Sequence, residues 1–388
     1  MKSLKLGAIG YGFRGNIADI ACRGEFDGKV VALAELRESQ RKKFKEKYPD
    51  ADVYSDYHEL FRRGDLDAIF CLTPDFSHEE IGAEVLEAGI PLYLEKPMAI
   101  TIEGCDRLLK TAMRTGTKLF VGHNMRHFPV IMKMKEIIDA GTIGEIQCAW
   151  CRHFVNYGGD AYFRDWHSER RNTTGLLLQK GAHDIDILHW LMGTHTIRVT
   201  GMGRLSVYDK CKRRPADMDP DVRWDDGQWP PLEEDGFSQT IDVEDHNMIL
   251  MQMANGAQAT YLQCHYTPDA ERNYTFIGTR GRLENMGDMG EAEIHVWTLR
   301  GDRKHPDIIY RLKDEGGYGH GGADVRIVKN FLDFLRYNAK TNTSPVAARD
   351  AVAAGVLGHQ SMRGSSTGLD VPPLPEEIIR YFDNNQTS

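Results

Sequence analysis

The sequence predicts an α/β protein: a doubly wound parallel sheet over residues 1–124, followed by a second domain over residues 125–388. Two observations predict this division. From Leu4 to Gly122, apolar strands alternate with helices, the order that right-handed parallel crossovers produce. From Glu145 onward, most predicted elements are strands joined by glycine-containing turns such as Asn255-Gly256, which favours an antiparallel sheet. With 388 residues, the chain is also long for a single hydrophobic core.

The elements of the first domain follow from hydrophobic periodicity and from the residues that stop helices. We predict helices at Asn16–Cys22, Ser39–Tyr48, His78–Ala88 and Ile102–Arg114, and strands at Leu4–Ile9, Lys29–Ala34, Leu66–Leu72, Pro91–Glu95 and Lys118–Gly122. Ligands of such sheets bind beyond the carboxyl ends of the strands. Thr73, Lys96 and Asn124 all follow predicted strands directly, so this edge is the expected binding site.

The second domain is read as a series of strands with one long interruption. The predicted strands are Glu145–Val155, Thr196–Val207, Asn247–Met253, Ala257–Tyr266, Tyr274–Gly278 and Ile294–Leu299. Residues Asp209 to Gly236 interrupt them and are rich in Pro, Asp and Glu, with Trp224 and Trp229. This segment is either a loop over the site, an arm at a subunit contact, or a disordered surface loop.

Composition excludes several classes of function. A net charge of −9 gives no basic surface for nucleic acid. No window approaches the ~20 apolar residues of a membrane-spanning helix, and Gly7, Gly10 and Gly12 interrupt the apolar run a signal peptide would need, so we expect a cytoplasmic protein. Seven cysteines, an odd number, indicate reduced thiols. Cys148 and Cys151 have CxxC spacing but lie in a predicted strand with no second pair, which disfavours a metal or redox role.

A glycine-rich turn predicts a dinucleotide site. Gly10, Gly12 and Gly15 form the pattern GxGxxG directly after the first strand and before a helix, and Glu35 follows the second strand, 20 positions beyond Gly15. Such glycines let the backbone approach a pyrophosphate at a helix N-terminus, and such a carboxylate binds ribose hydroxyls. Glu35 favours NAD because it would repel a 2′-phosphate, whereas Arg37 could bind that phosphate and keeps NADP possible.

The stretch from Thr173 to Gly193 predicts one apolar helix with a narrow polar seam. At helical spacing, one face carries Leu178, Ala182, Ile185, Leu188 and Met192, and another carries Gln179, His183, Asp186 and Trp190. Buried polar groups need partners or a cavity, since each unpaired one costs about 1–3 kcal/mol. A core helix whose His183 bonds a backbone carbonyl would satisfy this. The dinucleotide motif and Glu95-Lys96-Pro97 upstream favour a functional histidine instead.

An ordered set of motifs resembles the glucose-fructose oxidoreductase / inositol dehydrogenase / MocA family. The motifs are GYGFRG, LTPDFSH, EKP, GHNMRHFP, AGTIGEI, WHSERRNTTGLLLQKGAHDIDILHWLMG, FIGTRGRLE and GHGGAD, and they run over nearly the whole chain. Each short motif is weak, but the order is specific. The resemblance implies a Rossmann domain, then a large, mostly antiparallel sheet whose outer face commonly makes a subunit contact. A homodimer or homotetramer through that sheet is therefore expected.

The resemblance also implies the site residues. Lys96 and His183 would be catalytic: His183 would take the proton of the oxidised hydroxyl, and Lys96 would stabilise the developing alkoxide. The Lys96-Pro97 bond is often cis in relatives. The expected cofactor residues are Gly10, Gly12, Phe13, Arg14, Gly15, Glu35, Arg37, Thr73, Pro74, His78, Glu95, Lys96 and Asn124. The expected substrate residues are Lys96, Arg126, Tyr157, Trp166, His167, Gln179 and His183, with ordinary packing as the alternative for Arg126 and the aromatic positions.

Three functions remain open at this point. The first is an NAD(P)-dependent dehydrogenase that acts on a ring hydroxyl of a sugar, sugar derivative or cyclitol. Gln179 stands where many relatives carry aspartate, and Gln179-Lys180 resembles a sugar-active branch that includes NAD-dependent glycosidases, which oxidise transiently and eliminate the aglycone. The third is a non-catalytic sugar or dinucleotide sensor, disfavoured by the retention of Lys96 and His183. No metal is expected, because Asp184 and Asp186 beside His183 have no further ligand at a fitting spacing.

Overall fold

The computed structural model describes residues 3–216, 229–313 and 319–387. The chain forms two compact units. The first contains Met1–His127, Gly317–Arg349 and Pro373–Ser388, and the second contains Phe128–Gly316 and Asp350–Pro372. The first boundary thus falls three residues beyond the predicted one.

The two units share the following elements in chain order. The strands are β1 (Leu4–Ile9), β2 (Gly28–Ala34), β3 (Asp52–Tyr54), β4 (Ala68–Cys71), β5 (Leu92–Leu94), β6 (Leu119–Val121), β7 (Ile146–Phe154), β8 (Thr196–Arg204), β9 (His246–Met253), β10 (Gln258–Cys264), β11 (Glu271–Gly278), β12 (Arg282–Met286), β13 (Glu293–Trp297), β14 (Ile308–Arg311) and β15 (Leu369–Asp370). The α-helices are α1 (Asn16–Ala21), α2 (Glu38–Lys47), α3 (His58–Arg63), α4 (His78–Glu87), α5 (Ile102–Thr115), α6 (Pro129–Asp139), α7 (Gly158–Tyr162), α8 (Arg170–Thr173), α9 (Leu176–Gln179), α10 (Gly181–Met192), α11 (Ala323–Tyr337), α12 (Pro345–Arg363) and α13 (Glu376–Asp383).

The first unit is built on a six-stranded parallel sheet of order β3-β2-β1-β4-β5-β6. The chain crosses from β3 to β4 at the centre of this order, so the sheet is doubly wound and the predicted fold is confirmed. Every residue of β4, β5 and β6 is buried. These strands are apolar without alternation because helices cover both faces of a parallel sheet.

One long helix near the C-terminus belongs to this first unit, whereas the sequence analysis assigned it to the second domain. The apolar face of α11 lies in the core of the sheet. The ring of Phe331 packs 5.3 Å from Phe70, 5.4 Å from Tyr93 and 5.3 Å from Phe120, centroid to centroid. The sequence shows that α11 is amphipathic, but it does not show which sheet its apolar face covers.

The second unit is built on a nine-stranded sheet of order β14-β13-β12-β11-β7-β10-β9-β8-β15. Neighbours pair antiparallel except β7 and β10, which run parallel, so the large, mostly antiparallel sheet is confirmed. The predicted turn at Asn255-Gly256 joins β9 to β10, and Gly256 has a φ of +89° there. That left-handed conformation is the reason a glycine suits this turn.

The predicted helix Thr173–Gly193 is two helices, α9 and α10, that meet at Lys180. All residues of α10 from Gly181 to His189 are buried, so the proposed division into an apolar and a polar face was wrong. Gly181 allows a close approach to the sheet, since a Cβ there would lie 2.7 Å from the ring of Tyr261. The helix is therefore buried all round, and its polar side chains require partners inside the unit.

The described parts of the interruption between β8 and β9 are packed. Tyr208, Cys211 and Phe237 are buried in a cluster with Val155 and Phe163. Trp224 and the other residues from 217 to 228 lie outside the described residues. The flanks of the segment are thus part of the second unit's core. In the ranges that the structure describes, no helix is both long and apolar enough to cross a membrane.

Candidate active site

The glycine-rich turn has the geometry of a nucleotide-binding turn. Gly10 has a φ of +83°, and a Cβ there would lie 3.0 Å from the carbonyl oxygen of Leu72. A Cβ at Gly15 would lie 2.8 Å from the ring of Tyr11. A short 3₁₀ turn, Phe13–Gly15, then leads into α1, and the Phe13 side chain is exposed. Both glycines are required by close contacts, and backbone lies where a pyrophosphate would approach.

Glu35 is fixed beside this turn. Its Oε2 accepts a hydrogen bond from the backbone N–H of Tyr11, and its Oε1 accepts one from the backbone N–H of Arg37, both at 2.8 Å. The guanidinium Nε of Arg37 lies 3.6 Å from the same Oε1. Each carboxylate oxygen retains a further lone pair for a ribose hydroxyl. A preorganised carboxylate at the end of β2 therefore fits NAD.

His78 joins two turns at the carboxyl ends of β4 and β5. Its ring is fully buried, with Nδ1 2.7 Å from the carbonyl oxygen of Pro97 and Nε2 2.9 Å from that of Thr73. The peptide bond between Lys96 and Pro97 is cis, as the resemblance implied. Burial lowers the pKa of His78. Both ring nitrogens face the protein, so His78 would act on a cofactor through Thr73 and the segment that carries Lys96.

A buried ionic network surrounds Arg14, which the sequence analysis assigned to the cofactor. Its guanidinium lies 3.0 Å from Glu95 and 3.2 Å from Asp324. Asp324 also accepts hydrogen bonds from Asn124 at 2.9 Å and pairs with His320 at 2.9 Å. Burial would raise the pKa of Asp324, but His320 and Arg14 outweigh it and hold that pKa well below its ordinary value. Asp324 was missed, although the motif GHGGAD contains it.

All thirteen expected cofactor residues lie in the first unit, as does Arg126, an expected substrate residue. The Arg126 side chain is buried, and its Nη1 donates to the carbonyl oxygen of Asn342 at 2.6 Å. This contact fixes the short 3₁₀ helix Asn124–His127. A direct substrate contact of Arg126 stays a prediction.

The second unit brings the expected aromatic residues together. Trp166 stacks on His167 with centroids 3.7 Å apart, His167 meets Tyr162 edge-on at 5.4 Å, and Tyr162 lies 6.5 Å from Tyr157. We call these four residues the aromatic cluster. Rings beside polar groups suit a sugar ring, which has an apolar face and polar edges. Tyr162 was missed because nothing in its own neighbourhood distinguishes it from a core tyrosine.

Lys180 joins the aromatic cluster and was also missed as a site residue. It lies between Gln179 and α10, and its Nζ donates to the hydroxyl of Tyr157 at 3.2 Å. The same ammonium lies 5.5 Å from the ring centroid of Tyr157 and 5.7 Å from that of Tyr162. Such distances allow a cation–π attraction to both rings.

His183 lies in the first turn of α10, and only 9% of its surface is exposed. The next residue, Asp184, is completely buried and anchors the helix to the sheet. Its carboxylate lies 2.9 Å from Arg272 and 3.0 Å from Nδ1 of His153, and it accepts a hydrogen bond of 2.9 Å from Tyr261. It also accepts the hydroxyl of Tyr274. We call these five residues the Asp184 network.

The charges of this network are mutually stabilised. Burial would raise the pKa of Asp184, but Arg272 and His153 outweigh it and hold that pKa well below its ordinary value. Burial and the charge of Arg272 lower the pKa of His153 to about 3, so this ring is neutral at pH 7. Position 184 therefore holds a carboxylate that orients the start of α10, where His183 lies.

The metal and redox alternatives concern two small groups of residues. In the described ranges, no three His, Cys, Asp or Glu side chains lie together as a metal site would require. Cys148 and Cys151 lie three positions apart on β7 and so point to opposite faces of the sheet. Their CxxC spacing therefore does not form a dithiol pair.

Comparison with known proteins agrees with this geometry. A family model described as an oxidoreductase family with an NAD-binding Rossmann fold matches residues 4–123, and the GFO/IDH/MocA C-terminal domain matches residues 131–284. The inositol 2-dehydrogenase of Pseudomonas savastanoi pv. phaseolicola is 31% identical over 388 residues, which is 98% of this chain and 100% of that protein. The inositol 2-dehydrogenase of Klebsiella pneumoniae subsp. pneumoniae is 33% identical over 193 residues, and the match spans about half of each: 49% of this chain and 55% of that protein.

A solved structure shows the same fold. Levoglucosan dehydrogenase, in complex with NADH and levoglucosan, matches with a TM-score of 0.77 at 17% identity, over 95% of this chain and 100% of that one. The two family models match the chain in the order in which its two sheets occur. The chain belongs to the GFO/IDH/MocA family of oxidoreductases and carries that family's NAD-binding Rossmann fold.

Proposed function

We propose that the protein is an NAD-dependent dehydrogenase that oxidises a ring hydroxyl of a sugar, sugar derivative or cyclitol. The observation that carries this proposal is the second unit's combination of His183 with the aromatic cluster. An acid–base group next to rings that suit an apolar sugar face is what such a reaction requires. The NAD-binding turn and Glu35 in the first unit supply the other requirement.

The proposed roles follow from the chemistry of alcohol oxidation. NAD, when bound, takes a hydride from the carbinol carbon. His183 accepts the hydroxyl proton, since an imidazole titrates near neutral pH. Lys96 donates a hydrogen bond to the same oxygen and stabilises the negative charge that develops on it. Gln179 binds a substrate hydroxyl without charge, so it orients the ring and takes no part in proton transfer.

The cofactor preference is proposed to be NAD over NADP. Glu35 is buried and held by two backbone N–H groups, so it does not turn away from the ribose at low cost. A 2′-phosphate at that point would face a fixed negative charge. Arg37 lies beside the carboxylate, where its charge is partly compensated.

The substrate class is supported by the relatives. Proteins named inositol 2-dehydrogenase and levoglucosan dehydrogenase both act on cyclic polyols by their names. The test is to follow NADH absorbance while purified protein and NAD are offered inositols, free sugars and simple glycosides. A steady rise with one substrate is the expected result. A flat trace with release of aglycone would favour the glycoside-cleaving alternative, and silence in both assays would favour a sensor.

We also propose that copies of the chain associate through the nine-stranded sheet. Met202, Met248 and Leu250 are exposed on β8 and β9, and 62% of Leu250 is accessible in the single chain. A flat apolar surface of this kind is rare on a monomer. Light scattering should give a dimer or tetramer for the wild type and a smaller species for Leu250→Glu. A monomeric wild type would contradict this assembly.

A further inference from the structure

Lys180 differs from the strongly basic side chains around it in having no carboxylate partner. Arg272 pairs with Asp184, and Arg164 pairs with Glu234. For Lys180, by contrast, no ion pair to a carboxylate is found in the ranges that the structure describes, and its contacts are the hydroxyl and rings of two tyrosines. Tyrosines attract a cation but do not neutralise it. Its positive charge is therefore available to a ligand.

The place of this charge connects it with the proposed substrate site. Lys180 precedes His183 by three residues, one helical turn, so both lie on the same side of the chain. Lys180 is partly buried, and the Tyr157 hydroxyl that holds it belongs to a side chain 42% exposed. The ammonium is thus oriented by the aromatic cluster while one side of the group remains open.

The local charge balance points the same way. Where relatives carry an aspartate four residues before the histidine, this chain has neutral Gln179, followed by cationic Lys180. The segment before His183 is positive as a result. A half-buried ammonium without a counter-ion is a costly arrangement, and an anionic ligand would offset that cost.

We propose that Lys180 is a substrate-binding residue that selects ring substrates bearing an anionic substituent, a carboxylate or a phosphate. This inference rests on the proposed function for its substrate ring. The anionic substituent receives a charge-assisted hydrogen bond from the Lys180 ammonium, and the Tyr157 hydroxyl keeps that ammonium in place. Lys180 thereby determines specificity, and His183 and Lys96 retain the chemical roles proposed above.

The test uses matched pairs of ligands that differ in the anionic group. Galactose is compared with galacturonate and with galactose 6-phosphate, glucose with glucuronate and with glucose 6-phosphate, and an inositol with quinate. Binding to the NADH-loaded full-length protein is measured by calorimetry, and NAD reduction is measured in parallel. The variants are Lys180→Met, Lys180→Arg and, as a matched control, Lys304→Met, whose side chain is exposed on the same unit.

In at least one pair, the anionic member should bind roughly 10-fold or more tightly than its neutral partner. Lys180→Met should remove that preference, Lys180→Arg should keep part of it, and Lys304→Met should leave it unchanged. A carboxylate that outperforms the phosphate identifies an acid sugar, and the reverse identifies a sugar phosphate. Equal binding within every pair, or a preference that survives Lys180→Met, would overturn the proposal.

The two readouts separate this inference from the proposed function. Selective binding that depends on Lys180, without NAD reduction by any ligand, would support the role of Lys180 and contradict the dehydrogenase. NAD reduction with neutral and anionic partners alike would support the dehydrogenase and overturn the role of Lys180.

Discussion

Replacing Asp184 by Asn should destabilise the second unit by about 3 kcal/mol or more. Asp184 is completely buried and faces only donors and cations: Arg272, His153, Tyr261 and Tyr274. Asparagine has one acceptor oxygen and would direct an NH₂ group at some of these donors. Breaking a buried ion pair by removing one partner costs about 3–5 kcal/mol. Because Arg272 keeps a second carboxylate, Asp288, at 3.0 Å, we expect the lower end of that range.

A milder variant keeps the charge and removes one hydrogen bond. Tyr261→Phe deletes the hydroxyl that lies 2.9 Å from both Asp184 and Gln263, and it should cost about 1–2 kcal/mol. Tyr310→Phe is the matched control, because the tyrosine ring there lies beneath the ammonium of Lys133 and no hydrogen bond of its hydroxyl is found among the described residues. That control should match the wild type within about 0.5 kcal/mol.

The assay is urea unfolding followed by tryptophan fluorescence at pH 7. All six tryptophans lie between residues 128 and 316, so the signal reports the second unit. The expected order of stability is Tyr310→Phe equal to wild type, then Tyr261→Phe, then Asp184→Asn. A loss below about 1 kcal/mol for Asp184→Asn would refute the argument that this carboxylate anchors α10.

Three further outcomes are expected. Lys96→Met should lower turnover by roughly 10²-fold while NAD affinity stays within a factor of a few, as steady-state kinetics and calorimetry would show; near-wild-type turnover would contradict the role of Lys96. The wild type should bind NAD more tightly than NADP, and Glu35→Gln should narrow the difference; tighter NADP binding by the wild type would show that Arg37 dominates. Burial and the charges of neighbouring arginines lower the pKa of His127 to about 4. Because the unfolded state protonates near pH 6.5, stability is full above that pH and falls as pH drops toward 4, by about 2 kcal/mol at pH 5. Urea unfolding followed by circular dichroism should show this loss in the wild type and in the exposed control His305→Gln, but a smaller one in His127→Gln.

The sequence was sufficient for the parts of the fold that depend on local pattern. The strand–turn–helix at Gly10 to Gly15 is recognisable because the backbone geometry of that turn requires glycine. The alternation of strands and helices fixes a doubly wound sheet, since connection rules leave few other arrangements. Element ends shifted by a few residues, as at Leu66–Leu72, which became Ala68–Cys71.

The parts that were not predictable depend on contacts between distant segments. Asp324 joins Arg14 and Asn124 across about 300 and 200 positions of sequence, and no local pattern indicates such a meeting. The Asp184 network draws on three strands and one helix for the same reason. The break at Lys180 was also missed, because apolar spacing continues through it.

Deuterium transfer tests the central claim most directly. The substrate found in the NADH screen is prepared with deuterium at its oxidised carbon, incubated with the protein and NAD, and the nucleotide is analysed by mass spectrometry. A dehydrogenase predicts reduced nucleotide that carries one deuterium, formed in proportion to the oxidised product. Unlabelled reduced nucleotide, or deuterium that returns to a released product while the nucleotide stays oxidised, would contradict the claim.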